Sequence, residues 1–226
     1  MWRPMIVAID GPSASGKSTV GRRLARHLGL PLVDTGLMYR AITVLALEQD
    51  IDINDGEALG RLTRASDLEV FSDPVDRPPW LVRAGERDLS RRIFDAAITP
   101  ALTKVSQVAQ VRQAMVERQR AYGGGGVVML GRDIGTVVFP EADRKIFLTA
   151  TEGERVRRRR RQLKQDPEAT LKGEITDRDR ADSARAVAPL RPASDARTID
   201  TDGRSIDEVF AEVLQLIERP KGSERA

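Results

Sequence analysis

Residues 11–18 read GPSASGKS, a match to GxxxxGK[ST] that constrains this chain more than any other segment because two unlike patterns flank it. Before it, residues 5–9 (MIVAI) form an unbroken apolar run, as expected of a strand buried on both faces. After it, Val20, Leu24 and Leu28 recur at helical spacing until Gly29 and Pro31 stop the pattern. Strand, glycine loop and helix in that order make a phosphate cradle. Gly11 and Gly16 let the backbone turn so that successive amides point inward, and the helix amino terminus reinforces them. The expected ligand is a nucleoside triphosphate held by Gly11, Pro12, Ser13, Ala14, Ser15, Gly16, Lys17, Ser18 and Thr19. Lys17 would bridge the β- and γ-phosphates, Ser18 would place its hydroxyl on a magnesium ion, and Thr19 lies in reach of the α-phosphate. A Gly/Ser-rich turn that merely resembles the pattern is the bland alternative, and the strand-to-helix setting argues against it.

The remaining pattern alternates. Leu32 and Val33 read as a second strand, and residues 37–47 as a helix that ends near the polar segment 49–56. Between residues 68 and 94, Pro74, Pro78, Pro79 and Gly85 punctuate two short strands, 68–71 and 80–83. A long helix is predicted over about 100–122, broken by four glycines at 123–126 that lead into a strand at 127–130. Another buried strand follows at 145–149, then helices at 151–165 and 173–184 and a strand around 198–200. The last helix opens with a capping box, Ser205 with Glu208, and lines Ile206, Val209, Phe210, Val213 and Ile217 along one face. Such alternation implies an α/β fold, a parallel sheet covered by helices on both faces, with ligands at the carboxyl ends of its strands. The expected division is a core of residues 1–66 and 96–219, a small insertion at 67–95, and a polar tail at 220–226.

Composition narrows the function classes. The 226 residues can bury a continuous interior, and the absence of cysteine excludes disulfides and thiolate metal sites. The first apolar run is too short for a signal peptide or a membrane span, so a soluble cytoplasmic chain is expected, without membrane or nucleic-acid partners and as a monomer. Its 37 basic and 34 acidic residues nearly balance, but arginines crowd residues 155–161. A nucleic-acid patch and a mobile lid over a transferring phosphoryl group are the two readings of that run. The lid is favoured because the run follows a core strand and opens a helix; with 4% aromatic residues and none in the run, base-stacking platforms are scarce. A GTPase needs NKxD, yet Asn54 is the only asparagine and no lysine follows it. The DxxG at 200–203 comes too late for a switch and reads as a turn. No ABC-type signature is present, and Leu130 stands where a helicase-like motor would close its strand with a carboxylate. A kinase for a small acceptor remains. Thr35, Gly36, Tyr39 and Arg40 follow the second strand, beside the phosphate loop, where Arg40 could fork onto an acceptor phosphate.

The segments VDTGLMYR, GRDIGTVVFP, KIFLTA and RDRADSARAVAPL together resemble the bacterial cytidylate kinase family, from residue 5 to about 217. That resemblance implies a five-stranded parallel core, a monophosphate-binding insertion and an arginine-bearing lid at about 151–170, acting on ATP with CMP or dCMP as acceptor. It implies that Arg132 shares the acceptor phosphate, that Ser106, Arg112, Asp133, Arg178, Asp182 and Arg185 contact base, sugar or phosphates, and that Arg155, Arg158 and Arg159 are lid arginines. Lys17, Arg132, Arg158 and Arg159 would then be the catalytic set. Cytosine offers an amino donor and ring acceptors, which suits an acceptor such as Asp133 and donors such as Ser106 or Arg112. Taken singly, Tyr39 would more often be packing, and Asp/Arg pairs on helices more often surface ion pairs. His27 is expected only to cap or pack its helix. The chain departs from the family pattern in three places: Leu130 replaces an acidic residue before GRD, the segment VSQVAQVR is shortened between Ser106 and Arg112, and Phe94 replaces an arginine. Asp34 is the candidate to supply the carboxylate that Leu130 does not. A kinase for UMP or another small metabolite, and a nucleic-acid-stimulated ATPase, are the rival readings.

Overall fold

A computed structural model describes residues 5–71, 80–163, 168–185 and 188–218. In chain order the first half holds β1 (Ile6–Asp10), α1 (Lys17–Leu28), β2 (Leu32–Asp34), α2 (Thr35–Glu48), α3 (Gly56–Ala65), β3 (Leu68–Phe71), β4 (Leu81–Ala84) and β5 (Arg87–Asp88). The second half holds α4 (Thr99–Val105), α5 (Ala109–Ala121), β6 (Val127–Gly131), β7 (Arg144–Thr149), α6 (Glu152–Leu163), α7 (Glu168–Ser183), β8 (Arg197–Asp200) and α8 (Ile206–Glu218). Five strands pair in parallel in the order β2-β6-β1-β7-β8, and β3, β4 and β5 form a separate antiparallel sheet.

The two-residue period of the strands sorts the interior into two layers. Val7, Ile9, Leu32, Val128, Leu130, Ile146 and Leu148 face one side and pack with Val20 and Leu24 of α1 and Val209, Phe210 and Val213 of α8. Ala8, Val33, Val127 and Met129 face the other, against Met38 and Ile42 of α2, Leu102 of α4 and Met115 of α5. Val70 and Val82 of the small sheet belong to that second layer, so the sheet is seated on the core through α2. This alternation places Asp34 and Leu130, register partners on β2 and β6, on the α1 side, and Asp10 on the opposite side.

Local chemistry explains the helix ends. Asp34 caps α2 by accepting from the Gly36 amide at 3.0 Å, and Asp55 caps α3 through the Ala58 amide at 2.9 Å. Gly29, with φ of 63°, closes α1 while the Leu30 amide reaches the Ala25 carbonyl. The capping box of α8 is formed: Ser205 and Glu208 bond reciprocally between side chain and backbone amide. His27 lies edge-on to Phe210, 6.2 Å between ring centres, and so packs α1 against α8.

The single helix predicted over 100–122 is two helices, with Ser106, Gln107 and Val108 between them. No glycine or proline causes the break. Ser106 returns its hydroxyl to the Thr103 carbonyl, and its own carbonyl accepts from the Arg112 guanidinium at 3.3 Å, which takes it out of the helical ladder. Helix α3 and strand β5 had no counterpart in the sequence reading, the second strand of the small sheet begins one residue later than predicted, and α7 begins earlier. Pro74, Pro78, Pro79, Lys164 and the tail at 220–226 lie outside the described residues.

Candidate active site

The carboxyl ends of β1, β2, β6 and β7 converge on the phosphate loop. Gly11 has φ of 146°, and a Cβ there would stand 2.1 Å from the Leu148 carbonyl oxygen, so no other residue fits. Gly16 (φ 100°) and Ala14 (φ 57°) complete the turn of the loop. The Lys17 Nζ donates to the Pro12 carbonyl at 2.6 Å, curled inside the loop. Burial, with Arg132 beside it, pushes its ammonium well below the ordinary lysine range, while Asp34 pulls the other way. An anion brought to this ammonium is attracted strongly because little water competes. Ser18 donates from Oγ to Asp34 Oδ2 at 3.1 Å. Thr19 is exposed on the first turn of α1.

A second set of residues gathers beside the loop. Thr35 fixes the start of α2 to β6 by donating to the Leu130 carbonyl at 2.9 Å. One turn on, Arg40 donates to the Ile93 carbonyl at 2.9 Å with its guanidinium 6.0 Å from the Phe94 ring. Phe94, whose role the sequence left open, is thus an exposed aromatic wall beside Arg40. Burial lowers Arg40, and the approach of Arg159 adds to that effect. Arg178 is brought down to about 10 by burial and then by Arg132, with smaller contributions from Arg40 and Arg159. Lys17, Arg40, Arg132, Arg159 and Arg178 therefore share one field. Asp182 sits among them, accepting from Arg132 Nε at 2.8 Å and from Arg185. Burial alone would raise its carboxyl, but Arg132, Arg185 and Arg178 hold it below the usual carboxylate range.

Deeper in, Arg112 pairs with Asp133, both nearly inaccessible to solvent, and the Arg112 guanidinium lies 5.7 Å from the Tyr39 ring. Tyr39 is pushed up to about 12 by burial, so it stays a neutral hydroxyl. Ser106 adjoins this pair because the break between α4 and α5 presents its carbonyl to Arg112. The acceptor-side residues named from the resemblance are in this way brought together, including Arg112, whose place the shortened VSQVAQVR segment had made less secure than that of Ser106.

The arginine run divides by function of position. Arg155 is buried, donating to the Ala150 and Ser13 carbonyls and pairing with Asp179 of α7 at 2.6 Å. Arg158 pairs with Glu154 at 2.9 Å and grips Thr201, donating to its hydroxyl at 2.9 Å and its carbonyl at 2.6 Å. Its guanidinium faces Gly16. Arg159 makes no hydrogen bond or ion pair among the described residues, whereas Arg157 is an exposed partner of Glu154. Two residues escaped the sequence reading. Thr201 sits in the DxxG turn and ties Arg158 to the Ser15 and Thr149 carbonyls, and only tertiary contact reveals it. Asp10 is the other, and its place in the GxxxxGK[ST] context, one residue before the first glycine, was the available signal.

A family model described as cytidylate kinase matches residues 7–219. The chain belongs to the cytidylate kinase family. Cytidylate kinase from Exiguobacterium sibiricum is 42% identical over 217 residues, covering 94% of this chain and 96% of that protein. A bifunctional pantoate ligase/cytidylate kinase from Synechococcus sp. strain JA-2-3B'a(2-13) is 46% identical over 226 residues, 96% of this chain and 42% of the relative. The chain thus spans less than half the length of the bifunctional relatives. Among solved structures, TT1252 from Thermus thermophilus aligns over 97% of this chain and 100% of its own at 25% identity, with a TM-score of 0.45.

Against the cytidylate kinase pattern, Leu130 is accounted for by α1. Its side chain is fully buried against Gly21, where a Cβ would come 2.5 Å from Leu130 Cδ2. The carboxylate that meets the Ser18 hydroxyl comes instead from β2, as Asp34. Hard oxygen donors of this kind suit magnesium. Among the described residues there is no group of three or more His, Cys, Asp or Glu able to hold an ion alone, and no helix is long and apolar enough to cross a membrane. The Ser13 hydroxyl is buried and without a partner among the described residues, as fits a cradle built for phosphate oxygens.

Proposed function

We propose that this chain transfers the γ-phosphoryl group of ATP to CMP or dCMP, giving ADP and CDP or dCDP. The observation that carries the reading is the meeting, at one edge of the sheet, of a phosphate loop, a cluster of guanidinium groups and the buried Arg112–Asp133 pair. ATP lies on residues 11–19, with Lys17 turned from the Pro12 carbonyl onto the β- and γ-phosphates. Arg40 and Arg132 fork onto the acceptor phosphate, beside Thr35 and Gly36. Asp133 accepts from the cytosine amino group, and Arg112 and Ser106 donate to the ring acceptors. Asp182, held by Arg132 and Arg185, accepts from the sugar.

The acceptor oxygen is already an ionised nucleophile, so no general base is needed. What the chain supplies is charge neutralisation, in-line placement and exclusion of water. Arg158, Arg159 and Arg178 surround the transferring group from α6 and α7, a contribution worth about three to five powers of ten in rate for a single arginine in comparable enzymes. A magnesium ion bound with ATP would supply neutralisation of phosphate charge. Ser18 and Asp34 are the residues that would hold it, directly or through water. Both substrates are small and soluble, in keeping with a monomeric cytoplasmic enzyme that needs neither nucleic acid nor membrane. A coupled assay of ADP release across CMP, dCMP, UMP and AMP tests the reading: turnover with CMP and dCMP well above the others is expected, and equal or greater turnover with UMP or AMP would overturn the specificity.

A further inference from the structure

Asp10 ends β1 and immediately precedes the phosphate loop, yet its carboxylate is committed to another segment. Oδ1 accepts from the Ile134 amide at 2.9 Å and Oδ2 from the Gly135 amide at 2.8 Å. These amides open the π-helical turn Ile134–Val138, and the first donors of a helical turn have no partner within it. An aspartate at the N-cap would ordinarily serve them. Here the N-cap residue is Asp133, which makes no capping bond, because its side chain is paired with Arg112. The carboxylate that caps the turn therefore comes from the neighbouring strand. There is little slack in the arrangement: a Cβ on Gly135 would lie 3.2 Å from Lys145 Cδ and 3.4 Å from Asp10 Oδ2, and one on Gly131 would lie 2.6 Å from Ile134 Cδ1.

We propose that Asp10 is a positioning residue for the acceptor nucleotide, capping the turn from β1 so that Asp133, spared the capping bond, stays paired with Arg112 and faces the base while Arg132 faces the phosphate. The inference rests on the acceptor-site roles given to Asp133 and Arg132 above. A charged cap at a site only 5% exposed is costly where the fold alone is concerned. Burial pushes Asp10 up to about 6, against the two amides that favour its ionised form. The groups facing it are Asp133, which adds to the rise, and Lys17, which opposes it. The ammonium of Lys145 is bound instead to Asp195 and the Pro140 carbonyl. Two acceptor oxygens are needed at once, which a carboxylate offers and a carboxamide does not.

Asp10→Asn sets one amino group against one of the two amides, and Asp10→Ser keeps a single short acceptor. For both, calorimetric ATP affinity, kcat and KM for CMP, thermal unfolding and amide exchange over residues 131–138 are measured beside the wild type. The expected result is a KM for CMP raised roughly tenfold or more, the weight of a lost hydrogen bond to a charged group. ATP affinity should stay within about threefold, and amide exchange should quicken only in residues 131–138. A folded variant with unchanged KM for CMP, or an equal loss of ATP and CMP binding, would overturn the proposal. So would failure of both variants to fold, which would make the carboxylate a structural group. Absence of CMP turnover in the wild type would count against the kinase reading instead, and exchange at residues 131–138 would still judge the cap.

Discussion

Lys17 and Arg132 stand where the field of the site is strongest, and neither anchors a hydrophobic layer. Replacing Lys17 by Ala, or Arg132 by Ala, should abolish phosphoryl transfer while circular dichroism and the unfolding transition stay near those of the wild type. Near-normal turnover in either purified variant would refute their assignment. Asp10 makes a different prediction, about pH. Its folded pKa of about 6 lies above the ordinary 3.8, so the folded state binds the proton more tightly than the unfolded state. Its stabilising contribution is fully present below pH 3.8 and is lost as pH rises through 6. The stability of the wild type relative to Asp10→Asn should therefore fall by about 2 kcal/mol between pH 4 and pH 7. Denaturant titrations at pH 4, 5, 6 and 7 would measure it, and parallel curves for the two proteins would contradict the assignment.

At the scale of elements, the contact of α1 with β6 decides how the phosphate loop is seated. Gly21 lets the helix approach Leu130 closely, and both are buried. Gly21→Val should overpack this contact and destabilise the protein by about 1–3 kcal/mol. Leu130→Ala in the same chain should recover part of that loss, read as a positive coupling in a double-mutant cycle; additive effects would show that the two side chains do not meet. The break between α4 and α5 shows why element boundaries were only partly legible. Residues 101–122 contain neither glycine nor proline, and the interruption depends on Arg112 drawing on the Ser106 carbonyl, a contact that pairing with Asp133 on another segment holds in place. Helix α3 was missed for the opposite reason: its cap, Asp55, was visible, but the ten residues GEALGRLTRA carry only Leu59 and Leu62 as large apolar side chains, too short a stretch for the helical period to repeat.

For the whole molecule, the site is a concentration of positive charge in a chain whose formal net charge is only +3. The guanidiniums of α2, α7 and the β6 loop meet there because the parallel sheet points all its carboxyl ends to one edge. Raising salt from about 0.1 M to about 1 M shortens the screening length from about 10 Å to about 3 Å. The KM for CMP should rise several-fold with kcat less affected, and a flat KM would mean that these charges do not draw the acceptor in.

The sequence by itself determined the phosphate loop, the α/β alternation and the capping box of α8, because each is encoded within a few neighbouring residues: a glycine spacing, an apolar run, a serine three residues before a glutamate. Position after the second strand supplied Arg40, and resemblance supplied the other site arginines and Asp133. Tertiary structure alone decided that Asp34 meets Ser18 while Leu130 fills the space over Gly21, that Thr201 holds Arg158, and that Asp10 caps the turn whose own N-cap aspartate is paired elsewhere. Those are contacts across 16 to 125 residues of chain, and the partner of a buried polar group at such a distance is set by how the layers pack, which no local pattern records.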